Sequence, residues 1–145
     1  MTARSSRFYH ALQIAAHRLQ KRADQALMEA AGISTAQSAV LVIVAGSPGM
    51  RQNQVAATLG LNESAVTAMV NRLKTLGLVM RRRSGEDSRA WELQVTPKGE
   101  DALRAIEAPF AQINALIDET LGAETDAMAA RLHLLSARLA AGKDT

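Results

Sequence analysis

The 145-residue chain contains no cysteine, which excludes disulfides, thiolate metal sites and thiol-based redox switching. Nor does any run of apolar residues approach the ~20 needed to span a bilayer. After Met1 the sequence is interrupted by Arg4, Arg7, His10, Arg18 and Lys21, so no secretory pattern is present. The expectation is a protein that stays in the cytoplasm and does not engage a membrane. No nucleophile with a base, no paired carboxylates and no phosphate loop stand at an organising spacing, so neither a catalytic site nor a cofactor is expected. Internal repeats and low-complexity tracts are absent as well.

The residues that are present make a globular balance, 48% apolar and 21% charged, enough to fill the core of one domain. The formal charge of +3 is unevenly placed. Residues 51–99 hold eight Lys or Arg against four Asp or Glu, a net of +4, which leaves the flanks slightly acidic. A basic middle between near-neutral ends points to a local contact with a polyanion.

Neither Gly nor Pro occurs from Ser5 to Ala31, and Phe8, Leu12, Ala15, Leu19, Ala23, Leu27 and Ala30 recur at helical spacing, which predicts one long amphipathic helix. Gly32 stops it, Ser34 or Thr35 can cap the next helix, and AQSAVLVIVAG is apolar nearly all round, as in a central buried helix. Ser47-Pro48-Gly49 reads as a turn. Two short helices separated by Gly60 follow, and Gly77 closes the second. Strand-like pieces from Leu78 to Arg82 and from Ala90 to Val95 flank a polar turn, predicting a two-stranded hairpin. Within it Trp91, Leu93 and Val95 face inward. Thr96 caps the next helix with Pro97 at its first position, Pro109 should kink it, and Leu103, Ile106, Phe110, Ile113, Leu116 and Ile117 form its apolar stripe. Met128, Leu132, Leu135 and Leu139 repeat at nearly heptad spacing, suited to joining helices of separate chains.

In the helix from Glu63 to Gly77, Val66, Met69, Val70, Leu73 and Leu76 share one side. The opposite stripe is Ser64, Thr67, Ala68, Asn71, Lys74 and Thr75. An outer face free of bulky apolar groups and nearly free of acids is what a helix needs to enter the ~12 Å major groove. Asn71 is the best base reader there, while Arg72 and Lys74 lie at the edges of the stripe, where cations meet phosphates. On an isolated helix such a face would be an ordinary solvated one. Here a preceding helix with Val55, Ala56 and Leu59, the intervening Gly60 and a following hairpin opened by Arg81, Arg82 and Arg83 together make a winged helix-turn-helix.

These residues resemble the MarR (multiple antibiotic resistance regulator) family of bacterial transcription factors over almost the whole chain. AGISTAQSAVLVIVA is similar to that family's second helix, QVAATLGL to its third, and SAVTAMVNRLKTLGLVMR to its recognition helix and first wing strand. Asp87-Ser88-Arg89-Ala90 followed by Val95-Thr96-Pro97-Lys98-Gly99 is similar to the family's D-x-R wing and the L-T-x-K-G that opens its next helix. The resemblance implies that Asp87 holds the wing and that Arg89 reaches the minor groove or its phosphates, supported by Arg81, Arg82 and Arg83. A guanidinium on a slender hairpin suits a narrow, strongly negative groove. Ala68 stands where many members carry Arg, shifting specificity towards Asn71, Thr67, the wing and DNA shape. Arg51 stands where Thr often caps the third helix, so either Asn53 takes over the cap or Arg51 contacts a phosphate directly, with Gln52 and Asn53 as further phosphate ligands.

The fold class expected is mainly α with a small β-hairpin wing, in a single domain of residues 1–145. Segments 5–32 and 97–141 supply dimerisation helices and 34–96 the winged helix-turn-helix lobe. Function would be transcriptional control by a homodimer on pseudo-palindromic double-stranded DNA, more often repression. The resemblance also implies a small aromatic or phenolic effector, for which Phe8, Tyr9 and Phe110 are lining candidates, although core packing accounts for them equally. His10 and His17, ~10 Å apart along the helix axis, are too distant for one ion even with His133, so no metal site is expected. The alternative function is a winged helix whose basic face meets an acidic protein.

Overall fold

The computed structural model describes residues 3–85 and 90–142. Helix α1 (Ala3–Ala31) ends at Gly32, whose φ of 69° only glycine adopts at little cost. Helix α2 (Thr35–Gly46) starts at once, and the two cap candidates divide the work. Ser34 Oγ accepts from the backbone N–H of Gln37 at 3.1 Å while Gln37 Oε1 accepts from that of Ser34 at 3.0 Å, a reciprocal cap. Thr35 instead donates through its backbone N–H and its hydroxyl to Asp24 Oδ1, at 2.7 and 2.6 Å, which ties α1 to α2. Ser38, Val40, Leu41 and Val44 of α2 are buried. Its wrapping is incomplete, because Val42 is exposed.

The turn after α2 delivers a strand that the sequence pattern did not announce, β1 (Met50–Arg51). Helices α3 (Gln52–Leu59) and α4 (Glu63–Thr75) follow, then β2 (Val79–Arg83) and β3 (Trp91–Val95). The sheet is thus three-stranded and antiparallel in the order β1-β3-β2, a correction to the two-stranded hairpin. Two residues are too short for any alternation to register in sequence, and β1 exists because Met50 and Arg51 find Leu93 and Glu92 across from them. Asn62 caps α4 through its side chain. At the other end, Gly77 donates to the Lys74 carbonyl and Leu78 to that of Leu73, the paired bonds of a left-handed glycine stop.

The expected inward orientation of Trp91 is overturned. Leu93 is fully buried and Val95 partly so, but Trp91 is 43% exposed, because it borders an open cleft rather than the packed core. Its ring is covered from the neighbouring strand instead. Arg83 is its registered partner, and the guanidinium carbon lies 4.0 Å from the ring centroid.

Thr96 joins the wing to helix α5 (Pro97–Ala105). Its hydroxyl donates to the Gly77 carbonyl at 2.6 Å and accepts from the Gly99 N–H at 3.0 Å, while its own N–H donates to the Leu78 carbonyl at 3.0 Å. Helix α5 therefore passes so close to the end of α4 that a Cβ at Gly99 would stand 2.1 Å from the Leu78 carbonyl oxygen. After Ile106 a new helix, α6 (Glu107–Leu121), begins. The kink expected at Pro109 is a full break placed one turn earlier, since the proline lacks the N–H that would bond the Ala105 carbonyl and its ring crowds that oxygen.

Residues to Pro109 pack as one compact unit and those from Phe110 as another. In the second, a 3-10 turn (Gly122–Glu124) leads into helix α7 (Thr125–Ala141). Met128, Leu132, Leu135 and Leu139 of α7 all remain exposed. Phe8 and Tyr9 of α1 are likewise exposed in the single chain, and Tyr9 packs edge-on against His10. No single described helix is long and apolar enough to cross a membrane.

Two substitutions test this packing. Gly99→Ala should lower unfolding stability by about 1–3 kcal/mol through overpacking, whereas Gly46→Ala, where the added methyl meets open space, should raise it by up to about 1 kcal/mol. Urea denaturation midpoints would read both. Arg83→Ala should destabilise by about 0.5–1 kcal/mol and shift the emission of Trp91, the only tryptophan. An unchanged tryptophan spectrum would refute the stacking.

Candidate nucleic-acid interface

The α4 side chains divide as their spacing requires. Val66, Val70 and Leu73 are wholly buried, which fixes the rotation of the helix about its axis and leaves Ser64, Ala68, Asn71, Arg72, Lys74 and Thr75 exposed. Helix α3 is anchored in the same way by buried Val55 and Ala56. Gly60, at φ 66°, makes the left-handed turn between them. Hydrophobic burial thus sets the presentation of the polar groups.

At the start of α3 the cap read for Asn53 in the sequence is not formed. The helix begins two residues earlier than an Asn53 cap requires, so Arg51 occupies the cap position and Asn53 lies exposed in the first turn. The missing side-chain cap is offset from the other direction: Gln54 Oε1 accepts from the Arg51 N–H at 2.9 Å. Gln54 stands three residues after the cap position, the spacing of the returning half of a capping box, and that signal was available in the sequence.

Four of the candidate residues meet in one polar chain. Arg81 Nη2 donates to Gln52 Oε1 at 3.1 Å and to Asn71 Oδ1 at 2.9 Å. Gln52 Nε2 donates to Thr67 Oγ1 at 2.6 Å, and the Thr67 hydroxyl donates to the Glu63 carbonyl one turn back at 2.8 Å. The wing strand, the first turn of α3 and the outer face of α4 are therefore linked by side-chain hydrogen bonds. Arg81 Nε is buried and has no hydrogen-bond partner among the described residues. Leaving a donor of this kind unmet costs about 1–3 kcal/mol.

Beside this chain lies a cleft of about 580 Å³ lined by Arg51, Gln52, Asn53, Glu63, Thr67, Arg81, Ala90 and Trp91. Two guanidinium groups and two side-chain amides face one carboxylate there, a lining suited to an anionic backbone. Among the remaining candidates, Ser64 spends its hydroxyl proton on Asn62 Oδ1 at 2.8 Å, and Arg72, Lys74 and Arg82 are exposed. Arg83 is stacked on Trp91 as described. Asp87 and Arg89 lie outside the described residues. Glu63, Ala90 and Trp91, the last read in the sequence as facing inward, are the cleft residues absent from the sequence-derived candidates.

Residues 31–90 match the model of the MarR family. A curated Thauera aromatica protein, described as a transcriptional regulatory protein for the hcr operon, is 33% identical over 76 residues, 52% of this chain. The match spans only 46% of that relative's length. Among solved structures, the transcriptional repressor CouR bound to a 23-mer DNA duplex aligns with a TM-score of 0.80 at 29% identity, covering 87% of this chain and 89% of that one. CouR bound to p-coumaroyl-CoA aligns with a TM-score of 0.78 at 27% identity, covering 87% and 88%. The Streptomyces coelicolor regulator PcaV, in complex with its natural ligand, aligns with a TM-score of 0.73 at 27% identity, covering 87% and 91%. Over residues 31–90 the chain is similar to the MarR family, and the buried register of α4 with the wing set against it gives those residues a winged helix-turn-helix arrangement.

Proposed function

We propose that the chain is a sequence-specific, double-stranded-DNA-binding transcriptional regulator that acts as a homodimer in the cytoplasm. Its mode is repression relieved by a small aromatic effector, without catalysis of its own. The observation that carries this reading is the outward face of α4, polar and free of bulky apolar groups, flanked by Arg72 and Lys74 and adjoining the arginines of β2. A helix so presented fits the major groove, and the wing beside it reaches the adjoining backbone or minor groove with Arg82 and Arg89. Arg51, Gln52 and Asn53 at the start of α3 supply phosphate contacts.

Dimerisation accounts for the apolar residues that a single chain leaves in water, namely Phe8 and Tyr9 on α1 and the Met128, Leu132, Leu135 and Leu139 series on α7. Two-fold symmetry then demands a pseudo-palindromic site with half-sites about one helical turn, ~34 Å, apart. The complex of CouR with p-coumaroyl-CoA supports an aromatic effector here too. Such a ligand acts only through different affinities for the DNA-competent and DNA-incompetent arrangements.

Fluorescence anisotropy on the duplex upstream of the chain's own coding region, against a scrambled duplex and across salt concentrations, tests the reading. Binding is expected to discriminate between the two and to fall steeply with salt. Arg82→Ala should weaken all duplexes alike and reduce the salt slope by about 1. Affinity equal for both duplexes would favour a winged helix used for contact with an acidic protein. Leu135→Glu should convert a dimer to monomers in sedimentation and abolish discriminating binding, since burying that carboxylate in an apolar seam is unfavourable.

A further inference from the structure

Arg81 has hydrogen-bond donors and no acceptor, and this determines the orientation of each group that touches it. Of the two ends of the Asn71 amide, only Oδ1 can face the guanidinium, as observed at 2.9 Å. The Gln52 amide is oriented by the same rule, with Oε1 towards Arg81 and Nε2 towards Thr67. Gln52 thus holds the guanidinium from the α3 side while Asn71 receives it on α4. A charge-assisted bond of this kind is stronger than one between neutral groups. Apart from the second lone pair of Oδ1, the remaining outward groups are donors. Asn71 Nδ2 and Arg81 Nη1 make no hydrogen bond among the described residues, and both are donors.

This matters for base recognition. An asparagine reads adenine by accepting from N6 and donating to N7 at the same time, which requires Oδ1 to be available. Adenine sets its N7 acceptor beside the N6 amino donor, whereas guanine offers two acceptors, O6 and N7, and thymine offers O4. We propose that Arg81 is a specificity-determining residue of the α4 surface: by occupying one of the two lone pairs of Oδ1 and setting a cation beside it, it presents Asn71 with Nδ2 free and disfavours a base amino group facing Oδ1. The base position under Asn71 is thereby turned away from adenine towards guanine or thymine. The buried, unmet Nε of Arg81 fits this role, because an apolar side chain at the same place would carry no such desolvation cost. This inference rests on the proposed DNA-binding function and concerns which base that surface selects.

Selection of bound duplexes from a pool with a randomised central segment, followed by sequencing, tests it with the full-length protein and its variants. Asn71→Ala should relax one position in each half-site, which identifies the base under that residue. In the wild-type selection that position should be guanine or thymine. Arg81→Met, which removes the donors while retaining bulk, should move the same position towards adenine, changing the guanine-to-adenine ratio by roughly ten- to a hundredfold. Added to Asn71→Ala, it should produce no shift at that position, because the two residues act as one unit. Loss of thermal stability alone would not redirect a base preference, so the readout separates positioning from folding.

Adenine at that position in the wild-type selection would overturn the inference without any Arg81 variant being needed. So would an Arg81→Met motif identical to the wild type, or an Asn71→Ala selection in which no position relaxes. In each of those cases an enriched wild-type motif would leave the proposed function standing. Absence of any enriched motif from the wild-type protein would instead refute the function, and the inference with it.

Discussion

The burial of α2 is the constraint from which the DNA-facing lobe is built. Val40, Leu41 and Val44 are completely shielded, and α1, α3, α4, α5 and β3 all pack against this helix. Each neighbour must turn an apolar face to it, and that requirement sets each helix's rotation. For α4 the face is Val66, Val70 and Leu73, so the side chains left outward are those a groove-binding helix needs. The polar surface is therefore a consequence of core packing. A fully buried aliphatic side chain contributes about 1.5–3 kcal/mol, several times the net value of most single surface hydrogen bonds, so polar contacts tune a placement that burial has already made.

Tuning is the role of the second layer of organisation, the chain of hydrogen bonds through Arg81. A guanidinium cannot accept, so its insertion between Gln52 and Asn71 dictates the direction of both amides and, through Gln52, the use of the Thr67 hydroxyl. Helix α3, helix α4 and the wing consequently share one pattern of donors and acceptors. On the far side of the sheet a comparable economy appears at Thr96, whose hydroxyl and N–H bond the end of α4, the start of β2 and the first turn of α5. The bare Cα of Gly99 permits that approach.

Much of this was legible in the sequence because its signals are local and periodic. The apolar spacing of α1, the caps at Ser34 and Thr96, the stop at Gly77 and the two faces of α4 each depend on residues within two turns of one another. Features that depend on distant partners were not legible. Strand β1 is two residues long and is stabilised by Leu93 and Glu92, some forty positions away. Trp91 continues the alternation of an inward face, yet it borders an open cleft, and alternation carries no information about how closely the facing layer packs. Arg81 reads as one of three equivalent cations in a run. It differs from Arg82 and Arg83 only because Gln52 and Asn71 converge on it.

The order of helices and wing, the buried stripe of each helix and the basic character of residues 51–99 were determined by the sequence alone, since they follow from periodicity, caps and counted charge. Which of the polar residues remain available to a partner was decided by the tertiary structure. Asn71, isolated on its helix, offers both an acceptor and a donor, and its acceptor is engaged by an arginine ten residues further along a different element. Hydrogen-bonding capacity is a property of a group together with its neighbours, and only the folded chain brings those neighbours within 3 Å.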